Sequence, residues 1–196
     1  MKKGLIIIGV LFIIGLIIGS SYNGLVDLDE NVNAQWGNVE SSYQRRADLI
    51  PNIMNTAKGY AQYEQETFTR VIEARSKATS IQIDPSNITP EQLQQFQQVQ
   101  SGLTSALSRL LAVFERYPDL KANENFRELI NELERTENRI NVERNRFNSA
   151  AKEINETVRK FPKNITASIF GFEKRAYFEA DAGTEKAPEV EFDFSK

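Results

Sequence analysis

The chain of 196 residues contains no cysteine and no histidine. Without cysteine there are no disulfides, thiol nucleophiles or thiolate metal sites, and a lipoprotein is excluded because no cysteine follows the apolar run. Without histidine the commonest general base and the commonest transition-metal ligand are gone. An enzyme would have to work with carboxylates, Lys, Tyr or hydroxyls, and a di-iron bundle built on Glu-x-x-His is excluded. A large excess of either charge is also lacking: 24 Lys and Arg face 27 Asp and Glu, a net charge of −3. Nucleic acid wants a basic face, so no nucleic-acid partner is expected. No glycine-rich phosphate loop is present, since Gly102 is isolated and Gly171-Phe172-Glu173-Lys174 lacks the pattern. Neither cofactor nor metal is expected.

What the chain does have begins at its N-terminus. Lys2 and Lys3 precede an uncharged run from Gly4 to Ser21. As a helix that run spans about 27 Å, close to the hydrocarbon core of a bilayer. Residues 1–21 therefore read as a membrane anchor. The rival is a cleaved signal peptide, for which Gly19-Ser20-Ser21 offers small residues. Lysines before the run, and Asp27, Asp29 and Glu30 after it, favour a cytoplasmic N-terminus. A single-pass protein of the cell membrane, its soluble part extracytoplasmic, is the expectation.

The rest reads as helix almost throughout. A first amphipathic run carries Leu25, Leu28, Val32, Val39 and Tyr43 at 3–4 spacing, with Trp36 near the stripe. A second carries Ile50, Ile53, Met54, Ala57, Ala61, Phe68, Val71 and Ile72, and ends before the loop Ser80–Pro90. A third begins at Thr89 as N-cap, with Pro90 at the first helical position and Gln92 completing a capping box. Its stripe is Leu93, Phe96, Leu103, Ala106, Leu110 and Phe114, and its glutamine-rich stretch Gln92–Gln100 reads as an exposed face. The fourth runs from about Glu124 to Lys160, with an apolar seam near the 3.5-residue period of coiled-coil packing. Short connections imply an all-α protein: a transmembrane helix, then an antiparallel four-helix bundle over 22–162. Fewer, longer helices in a continuous hairpin are the alternative. The C-terminal segment, 163–196, holds aromatic residues able to pack back on the bundle, then an irregular acidic tail from Asp181.

One stretch breaks the pattern. Arg45-Arg46-Ala47-Asp48-Leu49-Ile50-Pro51-Asn52 puts two cations and a proline into an apolar stripe. Proline in a helix interior costs about 3 kcal/mol, but little in the first turn. If Asp48 caps a new helix, Pro51 is tolerated; if the helix is continuous, Pro51 deletes the bond to Ala47. The arginines would then close a helix end, or form a site for an anion or lipid headgroup. Asparagines on the fourth helix also recur every seven residues: Asn131, Asn138 and Asn145, and Asn141, Asn148 and Asn155. The second set directly follows seam residues, as a polar boundary fixing register or as a groove for a peptide or partner helix. Carboxylate pairs such as Glu64 with Glu66 and Glu132 with Glu134 read as solvated faces. Asn87, Asn155 and Asn164 match the glycosylation acceptor by pattern alone.

The order of these motifs resembles the LemA family. The residues that carry the resemblance are Gln35-Trp36, Arg45 through Asn52, Lys58-Gly59-Tyr60-Ala61 and Tyr117 through Ala122. Thr136 through Ile140, Arg144 with Phe147-Asn148, Phe161-Pro162, Phe170-Gly171-Phe172 and Tyr177-Phe178 extend it. One departure is Tyr63, where the family often has His. The resemblance implies one N-terminal membrane helix, a soluble four-helix bundle, and no defined catalytic activity. It places Arg45, Arg46, Asp48, Asn52, Tyr117, Asp119, Glu137, Asn138 and Arg144 in the family signature. Pairing of Arg45, Arg46 or Arg144 with Asp48, Asp119 or Glu137 across the bundle is expected. The leading functional reading is a non-enzymatic scaffold or adaptor for membrane-associated protein partners, a homo-oligomer being compatible with it. The second is a binding module for an anionic ligand or lipid headgroup, using Arg45, Arg46, Asp48, Asn52, Asn138, Asn141, Arg144 and Asn148. A carboxylate-only hydrolase stands third.

Overall fold

The computed structural model describes residues 2–60 and 63–179. Its first helix, α1, runs Lys2–Thr56 without interruption. The helices α2 (Gln65–Ser80), α3 (Pro90–Phe114), α4 (Pro118–Ala122), α5 (Glu124–Thr157) and α6 (Lys163–Phe170) follow. No strand occurs among the described residues. The acidic tail from Asp181 lies outside them.

Along α1 the surroundings change near Ser21. Leu5 through Ile17 are exposed, whereas Ser21, Leu25, Val32, Trp36 and Val39 are buried. The exposed stretch is long and apolar enough to cross a membrane. The remaining 35 residues to Thr56 form a rod of about 52 Å against which the other helices pack.

Cross-helix contacts fix the directions. Trp36 meets Phe147 and Arg46 meets Glu137, so α1 and α5 run antiparallel. Gln100 reaches Ala78 and Arg116 reaches Glu64, so α2 and α3 are antiparallel too. The result is the expected four-helix bundle of α1, α2, α3 and α5. Thr89 caps α3 with the full reciprocal box, accepting from the Gln92 N–H while Gln92 accepts from the Thr89 N–H. The α5 helix stops at Thr157, and Pro162 occupies the N-cap of α6.

Of the two alternatives for this stretch, the structure has the continuous helix, and Asp48 is not an N-cap. The α1 helix continues through Pro51, and the chain turns between Ala57 and Glu64 instead. A tight turn over Lys58–Tyr60 sets Tyr60 against Tyr117, the rings tilted by 60° with centroids 5.0 Å apart. Periodicity hid this turn because Ala57, before it, and Phe68, after it, bury into the same apolar cluster. Pro51 is tolerated because the carbonyl it orphans finds another donor: Arg75 Nε, on α2, donates to Ala47 O at 2.8 Å.

The C-terminal segment does pack back. The α6 helix buries Thr166 and Ala167. Gly171, at φ 76° and ψ 25°, is its left-handed C-cap, a conformation that suits glycine. An extended strap, residues 172–179, then returns along the bundle and buries Phe178 against Trp36 and Phe147.

Candidate functional site

The core is two apolar clusters with a polar layer between them. The cluster nearer the apolar segment holds Val39, Tyr43, Phe96 and Ile140; the distal one holds Leu49, Ile50, Leu103 and Leu133. Arg46, only 1 % exposed, sits between. Its guanidinium donates from Nη1 to Thr104 Oγ1 at 2.8 Å and to both Glu137 oxygens at 2.9 and 3.2 Å. From Nη2 it donates to the Gln100 carbonyl at 3.3 Å and to Gln100 Oε1. Gln100 Nε2 passes the network on to Ala78 O at 3.2 Å. The Arg46 plane also lies 5.0 Å from the Tyr43 ring centroid. One side chain of α1 thereby touches α3 and α5 directly and α2 through Gln100. The expected pairing of Arg46 with Glu137 is present, and Gln100 departs from the exposed face read for its stretch, being buried.

The other candidates do not gather around Arg46 as one site. Asn141 and Arg144 line, with Arg46 and Glu137, a small cleft of about 150 Å³. Arg45, Asp48 and Asn52 line a separate open cleft of about 700 Å³ between α1 and α5. In that cleft Arg45 pairs with Glu132 at 3.2 Å, and Arg135 pairs with the same carboxylate at 2.9 Å. Hydrogen bonds from Arg135, and then from Arg45, hold Glu132 below the usual carboxylate range. Asp48 accepts from Gln44 at 2.8 Å. With Asp48, Glu128 and Glu132 against Arg45 and Arg135, this wall is not cationic. Asn138 is exposed.

The asparagine ladder has a definite occupant. Asn148 accepts from the Phe178 N–H at 2.8 Å and donates to the Phe178 carbonyl at 2.9 Å. Asn155 does the same to Arg175, at 2.7 and 2.8 Å. Seven residues of helix advance about 10.5 Å and three of extended chain about 10 Å, so each rung meets every third residue of the strap. The groove for a peptide is filled by the chain's own C-terminal segment. Arg144 and Gln97 add donors to the Glu179 carbonyl at 2.8 and 3.0 Å. Burial of Asn155 in this clamp also removes it as a glycosylation acceptor. Replacing Asn148 with Ala leaves the Phe178 N–H and carbonyl unpaired, a loss of about 1–3 kcal/mol. Hydrogen exchange at the Phe178 amide should rise at least several-fold while exchange in mid-α3 stays unchanged.

Two further groups escaped sequence reasoning. Glu143, buried on α5, is paired with Arg146 at 3.0 Å and Arg139 at 3.7 Å. Arg175 bridges Asp29 on α1 and the carbonyls of Pro85 and Ser86, tying the strap to the α2–α3 loop. No cluster of metal-ligating side chains occurs among the described residues.

Set beside known proteins, the sequence matches the LemA family model over residues 35–192. The chain belongs to the LemA family. Magnetosome protein MamQ 2 of Paramagnetospirillum magneticum is 27% identical, over 89% of this chain and 71% of its own length. MamQ of Magnetospirillum gryphiswaldense is 27% identical over 80% of this chain and 64% of its own. Protein LemA of Metamycoplasma hominis is 27% identical over 72% and 61% respectively. The matched span contains the Arg46 layer, both clefts and the asparagine clamp.

Proposed function

We propose that this LemA protein is a membrane-anchored, non-enzymatic scaffold that presents a rigid helical bundle to protein partners. The observation that carries the reading is the continuity of α1. One helix leads from an exposed apolar segment into the bundle core without a linker, so the bundle's orientation follows that of the span. The distal end, at Tyr63 and Tyr117, would stand about 50 Å from the bilayer. The polar core layer serves packing, since both terminal nitrogens of Arg46 have their partners inside the protein, only its Nε being left without one. The relatives are named for the magnetosome or for the family, not for a reaction. The charge balance around the span favours a cytoplasmic N-terminus and a single-pass, extracytoplasmic bundle.

A natural absence of cysteine makes the test direct. A single Tyr63→Cys variant, 71 % exposed at the distal end, is labelled in intact cells with a membrane-impermeant maleimide carrying a photocrosslinker. Labelling before lysis, with discrete protein adducts after illumination, is the expected result. Labelling only after lysis reverses the orientation. Labelling without adducts there, and again at other exposed positions of the distal end, removes the scaffold reading.

A further inference from the structure

We infer that α6 and the residue pair preceding it form a membrane-seated foot, an interfacial surface that lies on the lipid beside the span. The inference rests on the anchor reading above and adds a second, separate contact with the bilayer. The α6 helix turns Thr166 and Ala167 inward and leaves Ile165 and Ile169, four apart, outward, and Phe161, just before the helix, is exposed too. Phe161 is 81 % exposed, Ile169 63 % and Ile165 49 %. Contiguous exposed apolar side chains mark a surface that something covers.

Position identifies the cover. Tyr22 is the first residue after the apolar run, at the level where aromatic side chains meet the headgroups. Its ring lies 4.8 Å from Phe170 and 5.8 Å from Phe172, centroid to centroid. At the other end of α6, Lys163 Nζ rests beside Gly24. The foot is thus held beside Tyr22 and Gly24, at the height where the apolar run of α1 ends. Charge agrees. Between Thr157 and Phe172 the chain has Arg159, Lys160 and Lys163 and no acidic residue, within a protein of net charge −3. Lys160 is bridged to Glu156 at 3.0 Å but remains largely exposed. An apolar row flanked by cations is the composition of a helix lying in an anionic lipid interface. A second copy of the chain would gain no such match from three like-charged cations.

The test uses the full chain in vesicles of phosphatidylethanolamine and phosphatidylglycerol, with a nitroxide high on the acyl chain. Single cysteines replace Phe12 in the span, Ser168 beside the apolar row, and Tyr63 at the distal end, each carrying an environment-sensitive fluorophore. An interfacial helix buries its apolar face roughly 5–10 Å deep, so emission at 12 and 168 should fall by about half or more, and that at 63 should not. Adding Phe161→Ser and Ile165→Ser should restore most of the emission at 168 and leave 12 quenched. Quenching at 12 without quenching at 168 overturns the foot and keeps the anchor. No quenching at 12 removes the anchor and the foot with it. A blue-shifted but unquenched signal at 168 assigns the face to protein and overturns the inference.

Discussion

Replacing Arg46 with Ala is expected to cost about 3–5 kcal/mol of bundle stability, the range for breaking a buried charged network by deleting one partner. The cost arises on three helices at once. Gln100, buried, loses the donor to its side-chain oxygen; Thr104 and Glu137 lose theirs; and a void opens between the two apolar clusters. Glu137→Gln should cost less, because Glu137 is one-third exposed and water can replace the guanidinium. Arg46→Lys should recover only part of the loss, since one ammonium cannot span the fork between Thr104, Glu137 and Gln100. Urea unfolding of the full chain in mild detergent, followed by circular dichroism, measures all three. A loss under about 1 kcal/mol for Arg46→Ala would mean that the layer is not a structural clamp.

The layer also explains why a charged residue interrupts an apolar stripe. Without it, the two clusters would be joined by a seam of similar apolar side chains, in which neighbouring registers differ little in energy. A polar residue on each of three helices at one level makes other registers leave a buried group unpaired, as a core asparagine does in coiled coils. For this protein that specificity role is a hypothesis. It predicts that Arg46→Met combined with Gln100→Leu and Glu137→Leu regains stability but loses sharpness of unfolding, which the denaturant slope reports.

The helices and the bundle were legible in the sequence because each apolar stripe keeps its period. The N-cap of α3 was legible because Thr89, Pro90 and Gln92 satisfy one another locally. The polar layer was only half legible. Arg46 lies between Tyr43 and Ile50, Gln100 between Phe96 and Leu103, and Glu137 between Leu133 and Ile140. Each occupies a position where its stripe calls for an apolar side chain, which is the signal that they meet. A run of glutamines masked Gln100, because its neighbours Gln94, Gln95 and Gln98 are exposed. The seven-residue spacing of Asn148 and Asn155 was visible, but the strap they hold was not. A groove cut to the step of an extended chain has no mark in the helix that names its occupant. Arg75 had no local signal, since the need it answers lies 28 residues earlier.

That need yields the second large effect. In a continuous helix Pro51 cannot donate to Ala47 O, and its ring pushes that carbonyl off axis. Ala47 is buried in the bundle, so water offers little relief. Arg75 Nε supplies the missing donor from α2, at 2.8 Å. Arg75→Met is therefore expected to cost about 1–3 kcal/mol, the desolvation cost of an unpaired buried carbonyl. With Pro51→Ala as background the helix restores its own bond from residue 51 to Ala47 O, and the same Arg75→Met change should cost much less. Pro51 is exposed, so its replacement opens no cavity. The four proteins form a double-mutant cycle with an expected coupling of about 1–2 kcal/mol. Unfolding midpoints and slopes for wild type, both single variants and the double variant measure it. Additive effects would mean that Arg75 packs against α1 without answering the proline. Coupling of the expected size would show that a helix-breaking residue in α1 is compensated from α2, which ties the α1–α2 packing to the continuity of the α1 rod.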